Sequence, residues 1–265
     1  MKILFIPVNY NSYNELNDYL KSLCEALSKS KNTQVTICIA DNSCDKQEID
    51  IEKFSSINIC VEQFPNLGYF GAALEIYNKQ IKSSDFDYVI ISNVDIKLDI
   101  DFFDKLALVN SNPQIGWIVP QIWSNEEQRD RNPKIITRYS RRHLDIIKLM
   151  WQFPTLHKLY RQTLYKRKKH YIPIPSKNIY AGHGSLIILT NNFTNIYPHL
   201  EYPVFLFGEE LFLAELCHRV GLIVEYHPEI KVSDEEHIST SKMDSKFYCK
   251  CNLNAVNYIL KEFYE

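Results

Sequence analysis

Short apolar runs alternate with helical patterns along the first half of the chain. Four runs rich in β-branched residues predict strands, at positions 3 to 8, 35 to 40, 57 to 61 and 88 to 92. Between the first two runs, leucines recur at helical spacing from Leu16 to Leu27, after a capping-box pattern formed by Ser12 and Glu15. This alternation is typical of a parallel sheet whose strands are joined by crossover helices.

The pattern continues on both sides of a basic middle stretch. Further helices are predicted at 68 to 80, at 101 to 110 and from about 241 onward, and further strands within 179 to 189 and 222 to 226. The helix that follows Glu210 should end at Gly221, because glycine readily adopts the left-handed conformation that closes helices. We therefore predict an α/β fold with a Rossmann-like, mostly parallel central sheet flanked by helices, a basic amphipathic helical insertion and a C-terminal helix.

Length and composition agree with a globular α/β protein. The chain has 265 residues, of which 45% are hydrophobic and 23% charged, enough for one large domain or a domain with a small lobe. Its apolar runs are far shorter than the roughly 18 residues of a membrane-spanning helix. The first run is short and contains Pro7, so we interpret it as a strand and not as a signal peptide. The seven cysteines are scattered and odd in number, which favours reduced thiols and a cytoplasmic location.

Positive charge is concentrated in one segment. The formal net charge is −2, yet residues 129 to 171 hold thirteen lysines and arginines against two aspartates, a net +11. Such a segment attracts anions, and a phospholipid surface or a phosphate-bearing acceptor are the leading partners; a solvated surface excursion is the alternative. Aromatic and leucine side chains interleave with the basic ones, which predicts an amphipathic segment at a membrane interface.

Polar clusters follow three of the predicted strands. They are Asn9-Tyr10-Asn11-Ser12, Asp41-Asn42-Ser43 and Asn93-Val94-Asp95. In open α/β sheets the ligand crevice lies outside the carboxyl ends of the strands, so these clusters should converge there. The carboxylate of Asp95 can bind a hard cation while a diphosphate completes the coordination shell, although Asn and Asp are also ordinary turn residues.

Other acidic and histidine side chains are further candidates. Asp41 can accept the imide N–H of a uracil-type base or cap a turn. Glu209 and Glu210 are adjacent carboxylates after an apolar run, so repulsion and partial burial can raise the pKa of one toward the range of a general base, or both can be helix-start residues. His237 can bind a metal or cap a loop. The glycines beside His183 permit a close backbone approach.

In their order along the chain these motifs resemble the family 2 glycosyltransferases with the GT-A fold, in particular the bacterial rhamnosyltransferase-like branch. The resemblance spans nearly the whole chain. It is carried by Val8 to Ser12, Ala40-Asp41-Asn42-Ser43, Asn66 to Ala72, Asn93-Val94-Asp95, Gly182-His183-Gly184-Ser185, Phe207-Gly208-Glu209-Glu210 and Glu236-His237-Ile238-Ser239-Thr240. Asn93 stands where the D-x-D motif has its first Asp, and Glu210 stands where the family usually has Asp.

The resemblance implies roles for these residues. Asp95 would be the ligand of Mn²⁺ or Mg²⁺, His237 would complete the metal shell, and Glu210 would be the general base, with Glu209 as the alternative. Donor-binding residues would be Pro7, Asn9, Tyr10, Asp41, Asn66, Gly68, Asn93, Asp95, His183 and Gly184. Residues 1 to 128 would form the nucleotide-sugar-binding half, residues 129 to 175 the basic insertion, and residues 176 to 265 the acceptor-binding half with the C-terminal helix.

The implied reaction is inverting transfer of a sugar from a UDP- or dTDP-type donor to a saccharide acceptor. We expect the acceptor to be carried on a polyprenyl diphosphate, in the synthesis of surface polysaccharide, with the enzyme peripheral at the inner face of the plasma membrane. A catalytically inactive member or a non-enzymatic binder of anions is the alternative. A nucleotidyltransferase or a dinucleotide-dependent oxidoreductase would need a glycine-rich loop after its first strand, where this chain has Asn9 to Ser12. Nucleic acid is not an expected partner, because the chain is not basic overall.

Overall fold

The computed structural model describes residues 1 to 54, 57 to 81, 86 to 109, 112 to 155, 177 to 235 and 243 to 265. Within them, ten strands join in one sheet: β1 (Lys2–Asn9), β2 (Gln34–Asp41), β3 (Asn58–Gln63), β4 (Tyr88–Asn93), β5 (Ile96–Leu98), β6 (Ile115–Ser124), β7 (Arg129–Asp130), β8 (Asn178–Ile179), β9 (Leu186–Thr190) and β10 (Ile223–Asp234). The helices are α1 (Tyr13–Lys29), α2 (Tyr69–Gln80), α3 (Phe102–Ala107), α4 (Arg141–Gln152), α5 (Asn191–Ile196), α6 (Glu209–Arg219) and α7 (Ser245–Phe263).

One antiparallel strand separates two parallel blocks of the sheet. The strand order is β3-β2-β1-β4-β9-β6-β10-β5, with β7 paired to β6 and β8 to β10. The first four strands are parallel, β9 runs antiparallel to both of its neighbours, and β6 is parallel to β10. The carboxyl ends of β1, β2, β4, β6 and β10 therefore open at one edge of the sheet, together with the amino end of β9.

Apolar side chains pack on both faces of the sheet. Along β1, Leu4 and Ile6 point into the core layer beneath α2 and α6, whereas Ile3 and Phe5 point into the layer beneath α1 and α3. A strand covered on both faces has no polar alternation, which explains why β1 appears in the sequence as a continuous apolar run.

The strand β6 was not predicted from the sequence. It is ten residues long and almost wholly buried, but Gly116 and Pro120 interrupt its apolar run and both residues argue against a strand. Its partner β10 has an irregularity in register between His227 and Lys231, beside Pro120, so that the ladder accommodates a residue without an N–H. The strand predicted at 222 to 226 also runs further, to Asp234.

The predicted helix α1 forms, but the capping box at its start does not. Ser12 occupies the N-cap position without a side-chain cap, and its hydroxyl lies 3.3 Å from the carbonyl oxygen of Tyr10 instead. The buried leucines Leu16, Leu20 and Leu23 hold the helix on the sheet, so tertiary packing replaces the missing cap. The predictions for α2 and for the end of α6 near Gly221 are confirmed.

The described part of the basic stretch contains β7, an irregular segment and α4. Leu144 is the buried residue of α4, and the helix packs against α7. Residues 156 to 176 lie outside the described residues. Among the residues that are described, no helix is long and apolar enough to cross a membrane.

Candidate functional site

A cleft of about 1590 Å³ opens at the edge where the strands end. One wall is polar and comes from the loops after the strands, and the other comes from α4, the start of α7 and the segment that precedes α6. Nine of the residues predicted for the site line it: Tyr10, Asn66, Gly68, Asn93, Asp95, His183, Gly184, Glu209 and Glu210. Asn42 lines it as well, so each of the three polar clusters contributes at least one residue to the cleft.

Asn9 and Asp41 lie behind the wall of the cleft instead of lining it. Both are fully buried, and the side-chain amide of Asn9 donates a hydrogen bond of 3.1 Å to the carboxylate of Asp41. The hydroxyl of Tyr13 also donates to this carboxylate, at 3.1 Å. A base that contacts Asp41 would have to displace Tyr13, so recognition of the base by Asp41 stays a prediction. Pro7 is likewise buried, within β1.

The loop before α2 is fastened to the loop after β2. The amide of Asn42 donates to the carbonyl of Gly68 at 3.1 Å and accepts from the N–H of Leu67 at 2.8 Å. Gly68 has a φ of +79°, and a Cβ at this position would lie 1.7 Å from the carbonyl oxygen of Phe205. Only glycine permits this approach, by which the loop before α2 contacts the backbone of the opposite wall at Phe205.

Asp95 lies in the tight turn between β4 and β5. The turn is held by two backbone hydrogen bonds, from Asn93 to the carbonyl of Ser185 at 2.9 Å and from Glu235 to the carbonyl of Asp95 at 3.1 Å. No group of three or more His, Cys, Asp or Glu side chains suited to a metal occurs among the described residues. His237 lies outside them.

A single carboxylate fits a cation whose other ligands come from the substrate. Mg²⁺ in particular is usually held by one or two carboxylates together with substrate phosphates and waters. Asp95 faces a cleft large enough for a nucleotide sugar. The residues present therefore suit a divalent cation that arrives with a diphosphate, and not a cation in a closed protein cage.

His183 forms the floor between the two walls as a neutral imidazole. Its backbone N–H donates to the side chain of Asn132 at 2.7 Å, and its Nδ1 lies 2.9 Å from the hydroxyl of Ser185. Burial, followed by the positive charges of Lys134 and Arg131, holds the pKa of His183 well below its usual range. The ring can therefore position a ligand by hydrogen bonding without adding positive charge at neutral pH.

The two adjacent glutamates begin α6 and differ in environment. Burial and the charge of Glu210 raise the pKa of Glu209 to about 8, so that Glu209 retains a proton at neutral pH. Glu210 accepts the N–H of Gly184 at 3.3 Å, and the ammonium of Lys134 lies 3.9 Å from the same oxygen. A Cβ on Gly184 would lie 2.7 Å from the carboxylate of Glu209. Gly184 is therefore where the carboxylates meet the floor of the cleft.

Several polar residues that sequence reasoning did not assign to the site also line the cleft, among them Tyr69, Arg131, Lys134 and Asp234. Tyr69 donates its hydroxyl to the carbonyl of Gly184 at 2.8 Å. Arg131 forms an ion pair of 2.7 Å with the buried Asp234, and Lys134 contacts Glu210 as described. The arginine and lysine belong to the basic stretch that the sequence predicts as a surface segment, and only the fold turns them inward.

The opposite wall is aromatic. The ring of Tyr248 lies 5.6 Å from that of Trp151 and 5.0 Å from that of Phe207, in edge-to-face geometry. The rings of Phe205 and Phe247 lie 6.5 Å apart. Such a wall offers apolar contact area beside a polar floor.

No protein-family model matches the chain, and no curated protein matches its sequence. Solved structures do match its fold. TarS 1-349 of S. aureus in complex with UDP-GlcNAc has a TM-score of 0.57 and 11% identity, over 100% of this chain and 72% of that one. GalNAc-T7 with UDP, GalNAc and Mn²⁺ has a TM-score of 0.61 and 11% identity, over 98% of this chain and 48% of that one.

A third structure is a mannosyltransferase from Pyrobaculum calidifontis in complex with GDP-Man and Mn²⁺, with a TM-score of 0.56 and 11% identity over 97% of this chain and 69% of that one. The chain spans only 43% of the longer TarS structure. These likenesses show that the chain has the GT-A fold of glycosyltransferases, with its central sheet flanked by helices.

Proposed function

We propose that this protein is an inverting glycosyltransferase that moves a sugar from a UDP- or dTDP-type donor to a saccharide acceptor. The observation that carries the proposal is that Asp95 and Glu210 line one cleft at the strand ends. Both are tied to the same loop, because Asn93 in the Asp95 turn donates to the carbonyl of Ser185 and Gly184 donates to Glu210. Sugar transfer needs one group that can hold a cation on the leaving diphosphate and another that takes the proton of the attacking hydroxyl. Solved relatives by fold hold UDP-GlcNAc, UDP or GDP-Man.

In this proposal Glu210 is the general base. The acceptor oxygen attacks the anomeric carbon, its proton passes to the carboxylate of Glu210, and the bond from that carbon to the diphosphate breaks with its electron pair on the diphosphate oxygen. Glu210 lines the cleft and accepts the N–H of Gly184, which holds its carboxylate at the floor of the site. Glu209, whose pKa is about 8, holds a proton in most molecules at neutral pH, and it remains the alternative base through the fraction that is ionised.

Asp95 is the proposed ligand of Mn²⁺ or Mg²⁺. A bound cation would supply positive charge to the diphosphate as it departs. The protein positions the two reacting groups. The hydrogen bond from Asn93 to Ser185 fixes the turn that carries Asp95, and the hydrogen bond from Gly184 to Glu210 fixes the carboxylate of the base. Structures of GalNAc-T7 and of the archaeal mannosyltransferase contain Mn²⁺ and support this proposal.

The experiment that tests the function is nucleotide binding by thermal shift. UDP, dTDP, GDP and CMP are compared with and without Mn²⁺, because a ligand that binds only the folded state raises the melting temperature. A shift that requires Mn²⁺ and is lost in Asp95→Ala supports the proposal. Glu210→Gln should keep this shift but lose turnover of the matching nucleotide sugar. The absence of any shift in the wild type would favour an inactive relative or a non-enzymatic binder of anions.

We further propose that the acceptor is lipid-linked, in the synthesis of surface polysaccharide, and that α4 rests on an anionic membrane. Ile146 and Leu149 lie on the outer face of α4, Phe153 follows the end of the helix, and the three are 61%, 50% and 50% exposed. Arg142 continues the same face, and the stretch around the helix is strongly basic. The inner face of α4 supplies Trp151 to the cleft, so a lipid surface beneath α4 would bring an acceptor to the aromatic wall.

Liposome flotation tests this location. The wild type should float with vesicles of phosphatidylglycerol and not with vesicles of phosphatidylcholine, and the double variant Ile146→Ser/Leu149→Ser should lose flotation. Leu108→Ser is the matched control, because Leu108 is 75% exposed but lies after α3. Equal flotation with the two kinds of vesicle, or none with either, would overturn the proposed membrane contact. It would leave the proposed function of the cleft unaffected.

A further inference from the structure

Two cations of the basic stretch enter the cleft from the irregular segment between β7 and α4. Arg131 is held by Asp234, whose side chain is only 2% exposed, through a hydrogen-bonded ion pair of 2.7 Å. Lys134 is 44% exposed and its ammonium lies 3.9 Å from Glu210. The first cation is therefore fixed by a buried partner, and the second can move on a flexible stem.

One of these cations lies at each of the two functional ends of the site. Asp234 is followed by Glu235, whose N–H bonds to the carbonyl of Asp95, so Arg131 is held close to the Asp95 turn. Lys134 lies at the other end, beside Glu210. Between them, His183 is near enough for both positive charges to lower its pKa, after the larger effect of burial.

The charge balance of the cleft requires cations at this place. Six carboxyl side chains line it, namely Asp95, Glu126, Glu127, Glu209, Glu210 and Asp234, of which Glu209 retains a proton at neutral pH, against three lysines and arginines, namely Arg131, Lys134 and Lys246. This lining repels a nucleoside diphosphate, and positive side chains beside the proposed cation at Asp95 would offset that repulsion. Arg131 and Lys134 are the two on the side of the strand ends, and guanidinium and ammonium groups are the strongest phosphate donors among side chains.

We propose that Arg131 and Lys134 form a clamp for the diphosphate group of the donor, in which Lys134 exchanges its contact with Glu210 for a phosphate oxygen when the donor binds. This inference rests on the proposed function. As the bond from the anomeric carbon to the diphosphate breaks, the electron pair remains on the diphosphate oxygen, and the clamp neutralises the charge that develops there. The departure of Lys134 leaves the carboxylate of Glu210 to the acceptor hydroxyl.

The test is calorimetric binding of UDP and of inorganic pyrophosphate to the full chain. Lys134→Gln should weaken both by about tenfold, since a charge-assisted hydrogen bond is lost. Lys246→Gln is the matched control, a cation on the opposite wall, and should leave both affinities within about twofold. Arg131→Gln would strand the buried Asp234, so Arg131 is tested in the double variant Arg131→Gln/Asp234→Asn, with Asp234→Asn as its reference and the same tenfold loss expected.

The outcomes separate the clamp from the function. Wild-type affinity of Lys134→Gln and of the double variant for both ligands would overturn the clamp, even if UDP binds well and the transferase proposal stands. An equal loss of affinity in Lys246→Gln would also overturn the clamp, because any positive charge in the cleft would then have the same effect and no specific phosphate contact would be needed. Binding of pyrophosphate that depends on Lys134, in a protein that binds no nucleotide, would keep the anion site and reject the transferase.

Discussion

The hydroxyl of Tyr69 donates a hydrogen bond of 2.8 Å to the carbonyl oxygen of Gly184, across 115 positions of the chain. The bond joins the start of α2 to the floor of the cleft beside Glu210. Gly184 is bound from both directions, since its N–H donates to Glu210. If Glu210 is the base, as proposed, we expect Tyr69 to act as a positioning residue by fixing the backbone that Glu210 contacts.

Removal of this hydroxyl should affect activity more than stability. Tyr69→Phe should lower the free energy of unfolding by about 1 kcal/mol, the usual net value of one hydrogen bond. Tyr77→Phe is the matched control, because the hydroxyl of Tyr77 donates to the carbonyl of Tyr197 at 2.6 Å away from the cleft. Urea unfolding should show similar losses in both, whereas only Tyr69→Phe should slow turnover of the nucleotide sugar. Equal turnover in the two variants would contradict the positioning role.

Glycine should be required at position 68 and merely favoured at position 221. Both residues have positive φ, +79° and +73°, but a Cβ on Gly68 would collide with the carbonyl of Phe205 while a Cβ on Gly221 would meet no atom within 4 Å. Gly221→Ala should therefore cost about 1 kcal/mol of backbone strain. Gly68→Ala should cost clearly more and weaken nucleotide binding, because the loop must move away from Phe205. Denaturant unfolding of the pair measures the difference, and similar losses would argue against the close approach.

Glu209 should make the protein less stable as pH rises. Its pKa in the folded protein is about 8, above the ordinary value of 4.5. Between these two values the folded protein holds a proton that the unfolded chain releases, so the free energy of unfolding falls as pH rises through that window. Glu209→Gln removes this dependence, and the variant should gain stability relative to the wild type from about pH 5 to about pH 8.

Urea unfolding at several pH values measures this gain. Glu48→Gln is the control, because Glu48 is exposed and the same change of side chain there should not reproduce the gain. Parallel stability curves for the wild type and Glu209→Gln would mean that Glu209 is ionised in the folded protein, and the choice of Glu210 as base would then lose its support.

An ion pair between the partly exposed Arg138 and the buried Glu215 anchors the segment that carries the proposed clamp. Arg138 binds both carboxylate oxygens of Glu215, at 2.9 and 3.0 Å, and Glu215 is 2% exposed. Arg138→Ala should cost about 3 kcal/mol, because it leaves a buried charge without its partner. Arg219→Ala is the matched control, since Arg219 also pairs with a glutamate and covers an aromatic ring, but Glu262 is 44% exposed.

The control should cost less than about 1 kcal/mol. Thermal or denaturant unfolding of the two variants gives the comparison. If Arg138→Ala were no more destabilised than Arg219→Ala, water would have to reach Glu215 in the folded protein, and the segment from 131 to 138 would not be anchored as described.

Periodicity alone predicted the elements whose pattern is local. Burial in the core selects apolar residues at fixed spacings. These spacings are visible in the sequence as the apolar runs of β1, β2 and β4 and as the helical leucines of α1. The same holds for the polar clusters at strand ends, since turn chemistry requires them. β6 was not predicted, because Gly116 and Pro120 fit a strand only beside the irregular register of β10. That strand lies more than 100 residues away in the sequence.

The sequence by itself determined the α/β fold class, the place of the cleft at the strand ends, and the residues Asp95, Glu209 and Glu210 within it. Only the tertiary structure decided how these groups differ. It buried Asp41 beneath Tyr13, placed Lys134 beside Glu210 and raised the pKa of Glu209. The physical reason is that electrostatic energies depend on distance and burial, and these arise from contacts between segments that are remote in the chain.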